Sequence, residues 1–295
     1  MLQLQKFLLV FATVPFALIF WRLWTAWTRQ DASKQHDDRD RPKDLPAFRM
    51  AQAGRNRIFE ICFGLNAIAL TFDDGPDEAH TWIGAMKLVK LNVPATFYMV
   101  GNKVAGNEKL VRFIEQQPLL MMGAHTYDHC NLADLKSEKE VKSQIRRGFE
   151  ALYNVTGKRY RHFRMPYNRE DKFGVVRNSN WSLSVDKATV DLADWHSEKN
   201  LQLVENNRDL SEEEKVELVL KRSIEYAEKT WDMVEMRNEE LQLLNVPATY
   251  QDGLIVGAQD RRLIYLGIER FIAYLNSYNV TFLRMDQCTG IPETF

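Results

Sequence analysis

From residue 59 onward the sequence alternates between short apolar runs and amphipathic segments. Residues 67–70 and 280–283 are apolar runs of strand length, whereas residues 137–152 and 264–275 repeat apolar side chains at helical spacing. Strands that alternate with helices predict a parallel sheet with helical crossover connections. We therefore expect an α/β fold, arranged as a barrel whose site lies at the carboxyl ends of its strands.

Two helical segments carry a face that we expect to be buried. In the first, that face consists of Trp82, Ile83, Met86 and Val89. The second lies within an inserted stretch, about residues 199–250, and its face consists of Val216, Leu220, Ala227, Trp231 and Val234. The inserted helix is interpreted as packing on the outside of the barrel, and a lid or partner surface is the alternative.

Composition and charge narrow the function classes. Hydrophobic residues make up 45% of the chain and charged residues 27%, as in an ordinary globular domain. The net charge of −1 gives no basis for expecting nucleic acid as a partner. Cys62, Cys130 and Cys288 are an odd set and not a disulfide framework, although one pair can form in an oxidising compartment.

The N-terminal segment predicts contact with a membrane. Residues 7–27 are apolar apart from two threonines and an arginine, which is about the length of one membrane span. Trp21, Trp24 and Trp27 resemble an interfacial aromatic belt. We expect an uncleaved single-pass signal anchor at residues 1–29, a charged linker at residues 30–58 and one domain at residues 59–295.

The side of the membrane on which the domain lies is a separate question. Basic residues are more frequent after the span than before it, and positive-inside counting would place the C-terminal part in the cytoplasm.

A pair of acidic residues follows the first strong apolar run. Residues 71–76 read Thr-Phe-Asp-Asp-Gly-Pro, so Asp73 and Asp74 stand at a predicted strand end before a turn. Neighbouring carboxylates repel each other unless a cation lies close by. An isolated surface turn is one interpretation, and a metal ligand beside a general base is the other.

Two histidines favour the metal interpretation. His125 follows the apolar run of residues 119–124, and His129 lies four residues later, a separation that predicts one side of a helical turn. One carboxylate, from Asp74, and two imidazoles suit a divalent metal such as zinc and leave coordination positions open. The same ligand set also serves non-haem iron oxygenases, but the adjacent Asp73 argues against that class.

Two further motifs complete a family pattern. Residues 164–167 read Arg-Met-Pro-Tyr, and residues 191–195 read Asp-Leu-Ala-Asp-Trp. Together with the acidic pair and the histidines, they resemble the polysaccharide deacetylase family, also called carbohydrate esterase family 4, over residues 66–286. The resemblance implies a distorted (β/α) barrel that removes N-acetyl groups from a glycan with the help of a divalent metal ion, for which zinc is favoured.

The resemblance also implies roles for individual residues. By it, Asp73 is the general base and Arg164 orients it, while the main-chain N–H of Tyr167 helps to hold the oxyanion. The implied metal ligands are Asp74, His125 and His129. Trp195 would form a wall of the acetyl pocket. Asp191 is the preferred acid of the fourth motif, and Asp186, at the end of the strand predicted at residues 181–185, is the alternative.

The fifth motif departs from the family pattern. The family has Leu-x-His at the end of a late strand, where the His is the general acid, whereas this chain has Gly257 and Gln259. A glutamine amide cannot transfer a proton near neutral pH, although its N–H groups can donate hydrogen bonds. His162 and His196 are the candidate substitutes, and Asp73, once protonated, is the other candidate donor.

Two functions follow from this departure. One is a membrane-anchored glycan deacetylase, and its catalytic domain is expected to be extracytoplasmic because the resembled family acts mostly on cell-surface glycans. The other is a weak or inactive relative that binds a glycan or a partner protein.

Overall fold

The computed structural model describes residues 58–178, 183–188, 190–191, 204, 206–243 and 251–295. The strands are β1 Ile58–Phe59, β2 Cys62–Phe63, β3 Ala67–Gly75, β4 Ala95–Met99, β5 Leu120–Ala124, β6 His162–Phe163, β7 Ser184–Asp186, β8 Val190–Asp191, β9 Asp252–Gln259 and β10 Thr281–Phe282. The helices are α1 Thr81–Lys90, α2 Gly101–Val104, α3 Glu108–Glu115, α4 Glu138–Thr156, α5 Val175–Asn178, α6 Glu212–Leu243, α7 Arg262–Asn276 and α8 Met285–Thr289.

The strands form one sheet that curls into a near-closed barrel. Their hydrogen-bonded order is β1-β7-β6-β5-β4-β3-β9-β2, with β10 beside β3 and β8 beside β9. These pairs are parallel apart from β2 with β9. The strands β7 and β8 lie near opposite ends of this order, yet residues 187–189 alone separate them along the chain. The two ends of the sheet are therefore brought together, which confirms the predicted α/β barrel.

The inserted helix α6 packs beside the barrel helix α7. Its predicted apolar face is buried, namely Val216, Leu220, Ala227, Trp231 and Val234. Gly267 of α7 leaves room for Val216, since a β-carbon there would lie 3.4 Å from its side chain. At the other end of α6, the Asn238 amide donates to the main-chain oxygen of Asp252 at 2.7 Å and accepts from its N–H at 2.8 Å. These contacts support the interpretation as an outer helix.

The face of α1 was predicted correctly only in part, since Trp82 and Val89 are half-buried against the core. Ile83 and Met86 are 38% and 52% exposed, and the buried face consists instead of Thr81, Gly84, Ala85 and Leu88. The physical reason is close packing, because a side chain at position 84 would overlap the ring of Tyr265 on α7. Small residues of α1 form the contact with α7, so the apolar periodicity indicated the wrong side of α1 for Ile83 and Met86.

The predicted N-terminal anchor lies outside the described residues, as do positions 30–57 of the linker. Within the part of the chain that the structure describes, no helix is both long enough and apolar enough to cross a membrane.

Candidate active site

Asp73 and Asp74 diverge at the end of β3. The register of β3 with β4 shifts between Asp73 and Gly75, and Asp74 has a positive φ of 76°. Such a bulge re-aims a side chain that would otherwise alternate to the opposite face of the strand. The side chains of Asp73 and Asp74 are 15% and 14% exposed, so both reach the barrel rim. They face different partners there.

Asp74 meets the two predicted histidine ligands. Its Oδ1 lies 2.9 Å from Nε2 of His129 and 3.5 Å from Nε2 of His125. One donor atom from each of the three residues lies within 4.8 Å of the others. The structure therefore brings together the three residues predicted to hold a metal.

The histidines converge through a loop, not through the helical turn that their spacing predicted. No helix includes His125 or His129, and Thr126 and His129 have positive φ values of 61° and 54°. Such residues are uncommon outside glycine and cluster at functional sites. The left-handed backbone, which spacing alone does not reveal, turns the two rings to centroids 5.0 Å apart.

The chemistry of this donor set fits a divalent metal ion. Nδ1 of His125 lies 2.8 Å from the main-chain oxygen of Arg164, so Nδ1 carries a proton and Nε2 is the nitrogen that faces Asp74. Burial by itself would raise the pKa of Asp74, but hydrogen bonds and charge from His125 and His129 outweigh it and hold that pKa well below its usual range. An ionised carboxylate and two imidazoles are the ligands that zinc takes in open sites.

Asp73 is held by a buried guanidinium. Nη1 of Arg164 donates to Oδ1 of Asp73 at 3.0 Å and to the hydroxyl oxygen of Thr71 at 2.5 Å. Nε of Arg164 donates to the main-chain oxygen of Asp186 at 3.1 Å. The Arg164 side chain is 1% exposed, so its charge acts on Asp73 with little screening by water.

Gln259 lies beside Asp73 at the predicted position of the missing acid. The two residues are register partners of the parallel strands β9 and β3. Oε1 of Gln259 is buried and has no hydrogen-bond partner among the described residues. At Gly257, a β-carbon would lie 2.8 Å from that of Ala188 and 3.2 Å from Nη1 of Arg164. A leucine therefore does not fit here without displacement of these neighbours.

Tyr167 lies beside His129, at the edge of the group of metal donors. It is 61% exposed with a positive φ of 59°, and Asn168 has a φ of 51°. The Tyr167 hydroxyl lies 3.5 Å from Nδ1 of His129. The adjacent left-handed residues form a tight turn that projects the ring over the histidine.

The predicted fourth-motif residues are described in part. Asp191 lies in β8, where its main chain pairs with Gly257, and its side chain is not described. Asp186 is buried at the end of β7. Trp195 and the candidate acid His196 lie outside the described residues.

Two further residues at the site were not predicted from the sequence. Thr71 accepts from Arg164 and donates to the main-chain oxygen of Val256 at 2.8 Å. Tyr98 lies under the Arg164 guanidinium, whose central carbon is 4.4 Å from the ring centroid. The sequence signal that could have identified Thr71 and Tyr98 is a polar group within a mostly apolar strand.

Comparison with known proteins agrees with this geometry. The family model for polysaccharide deacetylase matches residues 62–177. A peptidoglycan-N-acetylglucosamine deacetylase of Bacillus cereus is 34% identical over 130 residues, which cover 43% of this chain and 46% of the relative. A chitooligosaccharide deacetylase of Azorhizobium caulinodans is 31% identical over 157 residues, covering 47% of this chain and 66% of the relative. The chain thus spans less than half of the Bacillus relative.

Solved structures extend the similarity of fold beyond the matched segment. A crystal structure of a peptidoglycan N-acetylglucosamine deacetylase aligns with a TM-score of 0.59 and 20% identity, over 84% of this chain and 99% of the other. The chitin deacetylase of the fungus Colletotrichum lindemuthianum aligns with a TM-score of 0.58 and 22% identity, over 78% and 90%. The predicted resemblance is confirmed: this chain carries a domain similar to those of the polysaccharide deacetylase family.

Proposed function

We propose that this chain hydrolyses N-acetyl groups on a glycan, with a divalent metal ion held by Asp74, His125 and His129 and zinc as the first candidate. The observation that carries the proposal is the divergence of two adjacent carboxylates. Asp74 joins the metal donors, whereas Asp73 is paired with Arg164 at 3.0 Å. A metal site alone would not require a second carboxylate beside it. The names of the relatives, peptidoglycan and chitooligosaccharide deacetylases, support a glycan that contains N-acetylated amino sugars.

The side chains divide the work of amide hydrolysis. When bound, the metal ion would polarise the acetyl carbonyl and the attacking water. Asp73 takes the proton that this water loses, and Arg164 keeps the carboxylate of Asp73 directed at the opening. The main-chain N–H of Tyr167, on its left-handed turn at the rim, stabilises the developing oxyanion. By the family resemblance, Asp191 would be the acid of the fourth motif and Trp195 would form a wall of the acetyl pocket.

Protonation of the leaving amine is the step for which this chain lacks the usual group. Gln259 occupies the position and can offer its amide to the substrate, but it cannot transfer a proton. His162 cannot substitute, because it is fully buried and both ring nitrogens face oxygen acceptors. Asp73, protonated in the first step, is then the donor. General acid catalysis is typically worth about 100- to 10,000-fold, so slow turnover is expected.

The absent acid also favours a second function. A chain that keeps the metal donors and loses the proton donor would bind an N-acetylated glycan, or a partner protein, with weak turnover or none. The buried Oε1 of Gln259, which lacks a partner among the described residues, is the specific observation behind this alternative. It would accept from the N–H of an acetamido group.

Acetate release from a panel of chitooligosaccharides and peptidoglycan fragments, each with added zinc, cobalt or manganese, tests the proposal. We expect release that depends on metal and is abolished by Asp74→Asn, which also loses the metal. Asp73→Asn should abolish release while keeping the metal. Asp232→Asn, an exposed residue on α6, is the matched control. Binding of the oligosaccharides without any acetate release would establish the second function instead.

The proposal extends to location, with residues 7–27 as the anchor and the domain on the extracytoplasmic side. One support is the apolar length of that segment. Another is the disulfide bond between Cys62 and Cys288, since disulfides persist in oxidising compartments. Protease treatment of intact cells should digest the domain and leave the anchor with the membrane. Protection of the domain until the cells are broken would reverse the assigned side.

A further inference from the structure

Behind Arg164 lies a buried polar cluster, which we call the His162 cluster and which consists of His162, Asp186, Tyr98 and Ser184. The Asp186 carboxylate accepts from the Tyr98 hydroxyl at 2.5 Å, from the Ser184 hydroxyl at 2.6 Å and from Nδ1 of His162 at 2.8 Å. The side chains of His162 and Asp186 are 0% exposed. None of the four residues is a proposed metal ligand.

The hydrogen-bonding pattern fixes the charge of His162. Its Nε2 lies 2.9 Å from the main-chain oxygen of Ile291, which can only accept, so this nitrogen carries a proton. Its Nδ1 faces a carboxylate oxygen that already accepts from Tyr98, so it carries a proton as well. Both protons together make an imidazolium.

The surrounding charges agree with this assignment. Burial would lower the pKa of His162, but the charge and hydrogen bond of Asp186 outweigh it and raise that pKa, with a smaller contribution from Asp286. Burial would likewise raise the pKa of Asp186, and the charge of His162 reverses this. A buried charge of either sign is tolerated when it is paired and fully hydrogen-bonded.

The cluster supports Arg164 on two sides. The Arg164 guanidinium lies over the ring of Tyr98, 4.4 Å from its centroid, and its Nε donates to the main-chain oxygen of Asp186. Both supports involve Asp186, whose carboxylate holds the Tyr98 hydroxyl and whose main-chain oxygen accepts from Arg164. Gly123 permits this arrangement, because a β-carbon there would lie 2.8 Å from the Tyr98 ring.

We propose that His162 is a positioning residue which, through Asp186 and Tyr98, fixes the guanidinium of Arg164 and thereby the direction of Asp73. The inference rests on the proposed function for its catalytic consequence. The structural part, a buried imidazolium that orders Arg164, stands without it. Misplacement of a catalytic group by a remote change can cost on the order of 100-fold in rate, so such support matters for turnover.

Two conservative variants separate positioning from general stability. Tyr98→Phe and Ser184→Ala each remove one hydroxyl donor from Asp186, but the Tyr98 ring also underlies Arg164. We expect Tyr98→Phe to lower kcat about tenfold with KM unchanged. Ser184→Ala, which leaves the Tyr98 ring under Arg164, should lower kcat less than Tyr98→Phe does. Equal effects of the two variants, or an effect on KM alone, would overturn the proposal.

A spectroscopic readout keeps the inference testable if no acetate is released from any substrate. In nitrogen-15 spectra of the full chain at pH 8, His162 should show two ring N–H signals, and the Arg164 Nε–H should be sharp. Tyr98→Phe should broaden the Arg164 signal, and Ser184→Ala should not. A neutral His162 at pH 8, with a single ring N–H, would sink the proposal whatever the activity of the enzyme.

Discussion

His125 donates from Nδ1 to the main-chain oxygen of Arg164 at 2.8 Å, which joins a metal donor to the residue that holds the predicted base. The side chain of the same Arg164 reaches Asp73 at 3.0 Å. The metal donors and the base are therefore parts of one hydrogen-bonded structure at the carboxyl ends of β3, β5 and β6. A substitution among the metal donors is therefore expected to change the position of Asp73, and a substitution at Asp73 to change the metal donors.

Metal binding should stabilise the folded chain and should depend on Asp74. A ligand at 100 times its dissociation constant stabilises the native state by about 2.7 kcal/mol, so a chelator should lower the thermal midpoint of the wild-type chain measurably. Asp74→Ala should have a midpoint that neither chelator nor zinc changes. Metal analysis should find one equivalent in the wild-type chain and in Asp232→Ala. Full occupancy in Asp74→Ala would contradict the assignment.

Gln259→His should raise acetate release. Gln259 is the register partner of Asp73, so an imidazole there would face the same opening as the base and could protonate the leaving amine. We expect a gain of roughly tenfold or more, given the usual size of general acid catalysis. Combining Gln259→His with Asp74→Ala should remove that gain. A folded, metal-loaded Gln259→His without any gain would mean that another group already acts as the acid.

Much of the site could be predicted from the sequence because its residues follow the carboxyl ends of predicted parallel strands. Parallel strands place their carboxyl ends at one edge, so Asp73, Asp74, His125 and Gln259, each after an apolar run, were expected to meet. The structure places them there. What the spacing could not reveal was backbone conformation: the histidines converge through left-handed residues in a loop, although their separation is also that of a helical turn.

Contacts between residues that are distant in the sequence could not be predicted from the local spacing of apolar residues. The exposure of Met86 follows from the ring of Tyr265, which lies 179 positions after it in the chain and fills the space over Gly84. The His162 cluster is hidden for the same reason, because His162 and Asp186 meet across two strands. In the sequence, nothing links His162 at the start of β6 to Asp186 at the end of β7.

Removal of either partner of the Cys62–Cys288 disulfide should destabilise the domain. The two α-carbons lie 4.9 Å apart, the side chains are 0% and 1% exposed, and the bond links positions 226 residues apart. Loss of a native disulfide typically costs about 2–5 kcal/mol. We expect Cys62→Ala to lower the urea midpoint by a corresponding amount.

The thiol count checks the same prediction independently. Cys130, which is not paired, should be the one thiol that titrates in the unfolded, unreduced chain, and reduction should reveal three. Cys130→Ala serves as the control and should leave the urea midpoint nearly unchanged. Three thiols before reduction, in protein purified from an oxidising compartment, would show that the bond does not form.

Asp260 should make the stability of the chain fall with rising pH. Its carboxylate accepts from the hydroxyl of Thr81, and its main-chain N–H donates to the oxygen of Asp73 at 2.7 Å. Burial raises the pKa of Asp260 to about 7, from an ordinary value of 3.8, against the opposing hydrogen bond from Thr81. The folded state therefore binds more protons than the unfolded state between these values. The contribution of Asp260 to stability is full below pH 3.8 and is lost as the pH rises through about 7.

Asp260→Asn isolates this contribution, because the amide resembles the protonated acid in shape and still accepts from Thr81. At pH 5, already above the ordinary pKa of 3.8, we expect the variant to be the more stable by about 1–2 kcal/mol. Above pH 8 the variant should be the more stable, by at most about 4 kcal/mol from the difference between the two pKa values. Midpoints measured from pH 5 to 9, with the exposed Asp232→Asn as control, give the comparison. A difference that does not grow with pH would show that the Asp260 carboxyl is already ionised at pH 5.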